Sequence, residues 1–393
     1  MEMQKSLYSR YVEKYFEGVV LQTVQNINGS QNPENVRYYH REMLTPTFSP
    51  NGFWQSVNVW NTRVSADFVA MDSPLPIKKR DRITKTIGEI VKSGMELDLN
   101  ERQITDINTM LRTPKLPEGQ IVAALFQDTP RVIYGIYELM ERAFLQSLST
   151  GTTLIEDKDN IGIGIRMDFG YLDRNKFEAA TDWTDYENAK PLDDLKKMKK
   201  AAQDYGRAIN IIMMDDVTLD HLTNCKQVKD YIAWRANYVG TASVPAPSLD
   251  QLNNALRGDN KYGFTIEEIK RKVIVEKDGE QTTTTPWKQG MVIGLPTRSV
   301  GVLAYAILAE DENPVNGVQY QRAGESILVS KYSTVKPYRE WTSSQARVVP
   351  VISGVESIYQ LNALPSADAI DLDDDNGDTN NGGGNNGGGN GNG

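Results

Sequence analysis

The stretch Asp128–Gly151, DTPRVIYGIYELMERAFLQSLSTG, constrains the fold more than any other part of the chain. It reads as one long helix with both ends marked. Asp128 or Thr129 can cap the first free N–H groups, Pro130 suits the first turn, where its missing donor costs nothing, and Gly151 supplies a left-handed stop. Apolar side chains recur as Val132, Ile136, Leu139 and Ala143, and again as Ile133, Tyr137, Met140, Phe144 and Leu148. The two rows together make a wide stripe, which implies cover on more than one side. About 20 residues at 1.5 Å each give a rod of ~30 Å. Ile136, Met140, Phe144 and Leu148 are expected to form its core face, with Glu138, Glu141 and Arg142 on the remaining polar face. Such a rod is either a spine or an ordinary core helix of a large α/β domain, and periodicity alone does not separate the two.

The chain has 393 residues, enough for two or three domains, and its 39% hydrophobic content can supply packed cores. It contains no run of 18 apolar residues, so no membrane span is expected. The N-terminal MEMQKSLYSRYVEKYF carries charge throughout and lacks the apolar centre of a secretory signal. Cys225 is the sole cysteine, which precludes an internal disulfide and fits a reducing compartment. With only His40 and His221 present, a histidine-based catalytic or metal centre has little to work with. The net charge is −9, and six acidic residues (Asp368, Asp371, Asp373, Asp374, Asp375 and Asp378) lie in the tail. The remaining body is near neutral, unlike a general nucleic-acid binder.

Along the chain, residues 5–27 read as an amphipathic N-terminal helix, with Leu7, Tyr11, Tyr15 and Val19 on one row and Tyr8, Val12, Phe16, Val20 and Val24 on the next. Residues 53–77 change to period two: Val57 and Val59, then Val64, Ala66, Phe68 and Ala70. This predicts two strands with Asn61-Thr62 between them, a hairpin with little core of its own. A basic cluster comes after it at Lys78, Lys79, Arg80, Arg82 and Lys85. Residues 95–112 read as a second helix through Leu97, Ile104, Ile107 and Leu111. Ile161–Tyr171 alternates as a strand. Pro191 opens a helix, 208–214 is a short buried strand, and a helix carrying Val217, Leu219, Leu222 and Val228 comes next. Strands are predicted near 270–275, 291–295, 300–308, 326–332 and 347–352, with Pro350 marking an edge or end. From Asp375 the chain is Asn/Gly-rich, with no apolar side chain to offset ordering, so a disordered tail is expected.

The catalytic-looking motifs have simpler explanations. The strand ending at Asp215-Asp216 imitates an NTPase magnesium site, but no GxxxxGK[ST] loop accompanies it, and helix capping explains the pair better. Asp168-Phe169-Gly170 spells the kinase tripeptide without the rest of the kinase set. There is no GxSxG, HExxH or CxxC. The basic cluster can contact phosphate or an acidic protein face, or be a solvated turn. Trp341 is an interface anchor or core.

In their joint order, several stretches resemble the major capsid proteins of tailed phages, the lambda-like capsid protein E family. They are DSPLPIKKRD (72–81), ELMERAFLQSLSTG (138–151), MDFGY (167–171), PLDDLKKM (191–198), AINIIMMDD (208–216) and EWTSSQARVVPVI (340–352). The resemblance covers roughly residues 40–355. It implies an α+β, Hong Kong 97-like capsid fold. The chain would then divide into an N-terminal helix and arm (1–45), an E-loop hairpin and flank (46–94) and a peripheral domain (95–190) with the spine helix at 129–150. A mainly axial domain (191–300), return strands (301–365) and an acidic, then Asn/Gly-rich tail (366–393) would complete it.

The implied function is a self-assembling subunit that forms hexamers and pentamers of an icosahedral shell around DNA. No enzyme activity, cofactor, metal or membrane is expected. Possible further partners are portal, scaffolding and decoration proteins, with packaged DNA on the inner face bound without sequence specificity. Candidate contacts between subunits are Lys78, Lys79, Arg80, Arg82, Trp60 and Phe68. The implied location is the virion, with assembly in the host bacterial cytoplasm. Two alternatives stay open: an encapsulin-like compartment, and a soluble α/β enzyme or ligand-binding protein built on 191–232.

Overall fold

The computed structural model describes residues 3–27, 36–59, 83–155, 165–236, 244–277 and 279–366. Strand β1 (Met3–Gln4) leads into helix α1 (Ser9–Asn26). The two apolar rows are unequally covered: Val12, Phe16 and Val20 of one are buried, while Tyr11, Tyr15 and Val19 of the other are half-buried and Leu7, just before the helix, is exposed. A short helix, α2 (Tyr39–Met43), turns directly into β2 (Leu44–Phe48).

Strand β3 (Phe53–Val59) pairs antiparallel with β4 (Ile83–Glu89), with Phe53 opposite Glu89 and Val59 opposite Ile83. This corrects the expected hairpin of 53–77, because the partner of residues 53–59 is 83–89. Alternation assigns the two faces of a strand but does not name its partner. Residues 60–82, including the predicted second strand, lie outside the described residues.

The predicted helix at 95–112 is two elements, β5 (Lys92–Leu99) and α3 (Glu101–Arg112). Asn100 divides them through a reciprocal cap. Its side chain accepts from the Gln103 backbone N–H at 3.1 Å, and the Gln103 side chain accepts from the Asn100 N–H at 2.9 Å. Met95, Leu97 and Leu99 follow the period of a strand, and Ile104 and Ile107 that of a helix.

Helix α4 (Glu118–Phe126) runs into α5 (Asp128–Thr150) through Gln127, itself in helical conformation. Asp128 and Thr129 are therefore not caps: the turn before them already supplies helical backbone, and Asp128 instead accepts from Arg131 at 3.4 Å. The other end of α5 stops as expected at Gly151, whose φ of 83° is left-handed and whose N–H donates to Ser147 at 2.8 Å. In mid-helix, Gly135 lets Met95 of β5 approach, since a Cβ there would collide with the Met95 sulfur.

Strands β6 (Thr152–Ile155) and β7 (Ile165–Asp168) pair antiparallel. Next come β8 (Lys176–Glu178), α6 (Pro191–Asp204) and β9 (Ile211–Asp215). The single helix predicted after β9 is two, α7 (Asp216–Asn224) and α8 (Lys226–Arg235), separated by extended backbone at Cys225. Asp215 caps α7 by accepting from the Thr218 N–H at 3.1 Å. Helix α9 (Leu249–Arg257) is next, with its own Ser248/Gln251 capping box. Strand β10 (Thr265–Ile269) precedes a hairpin of β11 (Val273–Lys277) and β12 (Glu280–Thr284). The remaining elements are β13 (Met291–Leu295), β14 (Gly301–Ala306), α10 (Ala309–Glu312), β15 (Gln319–Ala323), β16 (Ile327–Val335), β17 (Tyr338–Ile352) and β18 (Tyr359–Asn362). The predicted last strand, 347–352, is the end of the 15-residue β17. Pro350 faces Leu303 of β14, past the ends of the β16 and β5 ladders, where its missing N–H breaks no second ladder.

Two sheets organise twelve of these strands, while β3–β4, β6–β7 and β11–β12 stand as separate pairs. The seven-stranded one runs β1-β16-β17-β14-β2, with β15 on β16 and β5 on β17; the five-stranded one runs β10-β9-β13-β18-β8. One core lies under α1, α3, α4 and the first half of α5, and includes Phe16, Ile104, Leu125 and Val329. A second joins α6 to α9 to the five-stranded sheet through Leu195, Met198, Leu222 and Phe264. The third is the seam between the sheets, where Met213 and Ile293 of one meet Ala304 and Val351 of the other.

Candidate assembly surfaces

Helix α5 bridges two of these cores. Ile136 and Met140 are buried in the first, and Phe144 and Leu148 in the seam. Along its length the helix is fastened by polar contacts. The Ser344 hydroxyl of β17 donates to the Val132 carbonyl at 2.7 Å. At the other end, the Gln360 side chain donates to the Ser149 carbonyl at 2.9 Å, and the Lys288 backbone N–H donates to the Ser149 hydroxyl at 3.1 Å. The rod is thus tied to both sheets.

The polar face assigned to Glu138 and Glu141 needs correction. Glu141 is fully buried. It accepts from the backbone N–H groups of Tyr39 and His40 at 2.9 and 3.0 Å, and its Oε2 lies 2.6 Å from His40 Nδ1. Glu138 accepts from the Tyr38 hydroxyl at 2.7 Å and also pairs with Arg271. The first turn of α2 has free N–H groups, and a buried carboxylate satisfies them where no cap does. A hint lay in the sequence: Glu141 sits among Tyr137, Met140 and Phe144 on the helix surface, and so belongs to the stripe.

Around this junction four charges close a ring. Arg37 donates to Glu42 at 2.8 Å and to Glu267 of β10 at 2.8 Å, while Arg298 reaches Glu42 at 3.1 Å and Glu267 at 2.5 Å. The Arg37 hydrogen bond holds the Glu42 carboxyl below its usual range. The ring ties the segment entering β2 to the edge of the five-stranded sheet.

The N-terminus is held on β17 in a similar way. Glu340 is buried and accepts from the Ser6 hydroxyl and from the Leu7 N–H at 3.0 Å. Burial raises its pKa. Nearby, Lys331 is buried and donates to the Leu125 carbonyl at 3.2 Å and the Thr342 hydroxyl at 2.7 Å. Burial depresses the Lys331 ammonium to about 8. Trp341 is half-buried, stacked on Tyr332, with its indole N–H on the Thr334 hydroxyl at 3.0 Å.

The root of the β3–β4 hairpin has two unlike faces. On one, Trp54 is buried against Phe169 at 5.6 Å, and the Ser56 hydroxyl donates to the Ile352 carbonyl at 2.7 Å. Gly88 stands opposite Trp54 because a Cβ there would sit 2.6 Å from the indole nitrogen. On the other face Phe53 is 50% and Ile87 61% exposed, beside exposed Gln55 and Glu89. Sequence reasoning did not single out Phe53 or Ile87, although both fall on the alternating face opposite Trp54. The contact residues it did name, Lys78, Lys79, Arg80, Arg82, Trp60 and Phe68, lie outside the described residues, in the connection between β3 and β4. In sequence, Lys78, Lys79, Arg80 and Arg82 fall between β3 and β4 rather than after both strands.

Among the described residues no group of three His, Cys, Asp or Glu stands where it could hold a metal ion, and no helix is long and apolar enough to cross a membrane. Helix α5 thus bridges two cores, and the β3–β4 pair is anchored on one face while Phe53 and Ile87 stand exposed on the other. The chain belongs to the family described as Phage major capsid protein E, whose profile matches residues 61–363. It has the Hong Kong 97-like capsid fold and is a structural major capsid subunit. Among solved structures, it is similar to a phage-related protein of Bordetella bronchiseptica RB50, with a TM-score of 0.51 at 11% identity, covering 92% of this chain and 98% of that one. It is also similar to a protein assigned as a prophage capsid protein in E. coli CFT073 (TM-score 0.48, 15% identity, 72% and 79% covered). A third similar structure is the mature capsid of bacteriophage PhiM1 (TM-score 0.45, 10% identity, 83% and 87% covered). No curated protein sequence matches it. Family membership implies self-association into a multi-subunit shell and a place in the virion capsid.

Proposed function

We propose that this subunit forms hexamers and pentamers of an icosahedral head by laying its β3–β4 hairpin over a neighbouring copy. The observation that carries this reading is the exposed apolar face of Phe53 and Ile87, backed by the buried anchors Trp54 and Ser56. Burying one such side chain between subunits contributes about 1.5–3 kcal/mol, and a shell repeats the contact at every subunit. In this reading the core of α6 to α9 with the five-stranded sheet is the axial domain, and the core around α1 and α3 to α5 is the peripheral domain. The stretch 60–82 completes the E-loop and sets Lys78, Lys79, Arg80 and Arg82 against an acidic face of the neighbour. Packaged DNA contacts the inner wall without sequence specificity, portal, scaffolding and decoration proteins join the head, and assembly takes place in the bacterial cytoplasm. Hydrogen exchange on free subunits and on assembled particles tests the central contact. Protection of 53–59 and 83–89 should rise on assembly; unchanged exchange there would contradict it.

A further inference from the structure

In an antiparallel pair, every second residue turns its N–H and C=O away from the partner strand. The Phe169 N–H donates to the Gly151 carbonyl at 3.0 Å, which fixes the phase of β6–β7: Thr152 and Leu154 on β6, and Arg166 and Asp168 on β7, point outward. On β6 the outward groups are met. The Gln146 side chain donates to the Leu154 carbonyl at 3.2 Å and accepts from its N–H at 3.3 Å, and the Thr150 hydroxyl serves Thr152 likewise, at 2.7 and 3.2 Å. On β7 no hydrogen bond reaches the outward backbone groups of Arg166 or Asp168 among the described residues. The β3–β4 pair repeats this asymmetry. The Ile90 N–H donates to the Gly52 carbonyl at 2.8 Å, so Phe53 on β3 and Ile87 and Glu89 on β4 turn outward. The Ser49 hydroxyl donates to the Phe53 carbonyl at 2.7 Å, and Asn51 accepts from the Phe53 N–H at 3.2 Å. The outward backbone groups of Ile87 and Glu89 have no such partner among the described residues.

The four unmet residues, Ile87, Glu89, Arg166 and Asp168, line one cleft of about 330 Å³. Two open strand edges thus border the same gap, and an open edge is a template for another chain. At a rise of about 3.4 Å and spacings of about 4.8 and 10 Å to its neighbours, a strand residue takes up ~160 Å³, so the cleft admits about two residues of extended chain. We infer that an extended segment of a second copy of this chain enters the cleft, adds a strand to β4 and β7, and joins the two hairpins into one sheet. Backbone hydrogen bonds supply the recognition. A second copy is the occupant because the family self-associates and because Ile87 belongs both to the exposed hairpin face and to this cleft; in this the inference rests on the reading of β3–β4 as a contact between subunits.

Residue-resolved hydrogen exchange on the full-length protein, as dilute subunits and as assembled particles, tests the inserted strand. The amides of Arg166 and Asp168 should exchange freely in the subunit and about tenfold or more slowly in particles, where a hydrogen-bonded pairing must open first. A hairpin lying on a neighbour protects 53–59 and 83–89 without involving β7, so the two contacts are read separately. Protection of 53–59 with unchanged Arg166 and Asp168 would overturn the inserted strand and leave the hairpin contact standing; protection of neither would contradict both. Slow exchange of Arg166 and Asp168 in the dilute subunit would assign the cleft to the same chain, and protection only in particles that contain other phage proteins would assign it to one of those; either result overturns the proposal. Arg166→Pro adds a second measurement, because it removes an outward N–H, which an edge strand tolerates, and leaves the ladder to β6 intact. It should melt near the parent but lower particle yield about threefold or more relative to Arg166→Ala, which keeps the N–H. Equal yields of the two variants would contradict pairing along β7.

Discussion

Glu141 and His40 meet inside the protein with Oε2 2.6 Å from Nδ1, joining the spine helix to the segment that enters β2. Both side chains are fully buried. The same carboxylate also accepts two backbone N–H groups, so it serves as the missing cap of α2. Replacing it with alanine would strand those donors in the interior, at about 1–3 kcal/mol each. Glu141→Ala should therefore cost at least ~3 kcal/mol, where a residue on a polar helix face would cost about 0.5. Urea denaturation of the purified subunit checks this; Glu141→Gln, which keeps an acceptor, should lose less than the alanine variant.

Phe144 is fully buried in the seam between the two sheets. Phe144→Ala would leave a cavity and cost roughly 3–5 kcal/mol. Arg131, on the same helix, has a side chain 67% exposed. Arg131→Ala should change stability by no more than about 0.5 kcal/mol. Melting both variants beside the parent under one condition gives the contrast, and similar losses for the two would contradict the assigned helix face.

Lys331 provides a pH signature. Burial lowers its pKa from 10.5 to about 8 in the folded state, so between these values the unfolded chain binds more protons. The burial cost is complete below pH 8 and is relieved as pH rises toward 10.5. Across that window the parent should gain about 2–3 kcal/mol relative to Lys331→Met. Denaturation of both proteins at about pH 7, 8.5 and 10 measures the gain, and parallel curves would rule out a charged, buried Lys331.

The contrast between these sites shows what a sequence can carry. The C-terminal stop of α5 at Gly151, the strand at β9 and the capping by Asp215 were legible because each rests on neighbours a few residues apart, whereas the caps read at Asp128 and Thr129 failed because α4 runs straight into α5. Met95 and Leu97 were misread as helical because β5 runs directly into the helix that carries Ile104 and Ile107; the Asn100/Gln103 cap was the available boundary signal. Strands β8 and β18 have too few residues for any period to emerge. The burial of Glu141 depends on donors 101 and 102 residues away, a separation that no local pattern spans. The apolar outer face of β3 and β4 became apparent only when β4 was seen to pair with β3.

The basic cluster Lys78, Lys79, Arg80 and Arg82 should matter to assembly more than to folding. Lys79→Glu/Arg80→Glu should lower particle yield, more steeply at low salt, with the subunit's melting temperature little changed. Yield that matches the parent at every salt concentration would exclude a charged contact there.

Electron microscopy of the purified full-length protein and of Phe53→Asp/Ile87→Asp tests the central claim most directly. Parent preparations, alone or with co-expressed phage assembly proteins, should contain closed icosahedral shells in which each β3–β4 hairpin lies on an adjacent subunit. The double variant should remain as folded, unassembled subunits. A parent that stays monomeric under all these conditions, or shells whose hairpins touch only their own subunit, would contradict the account.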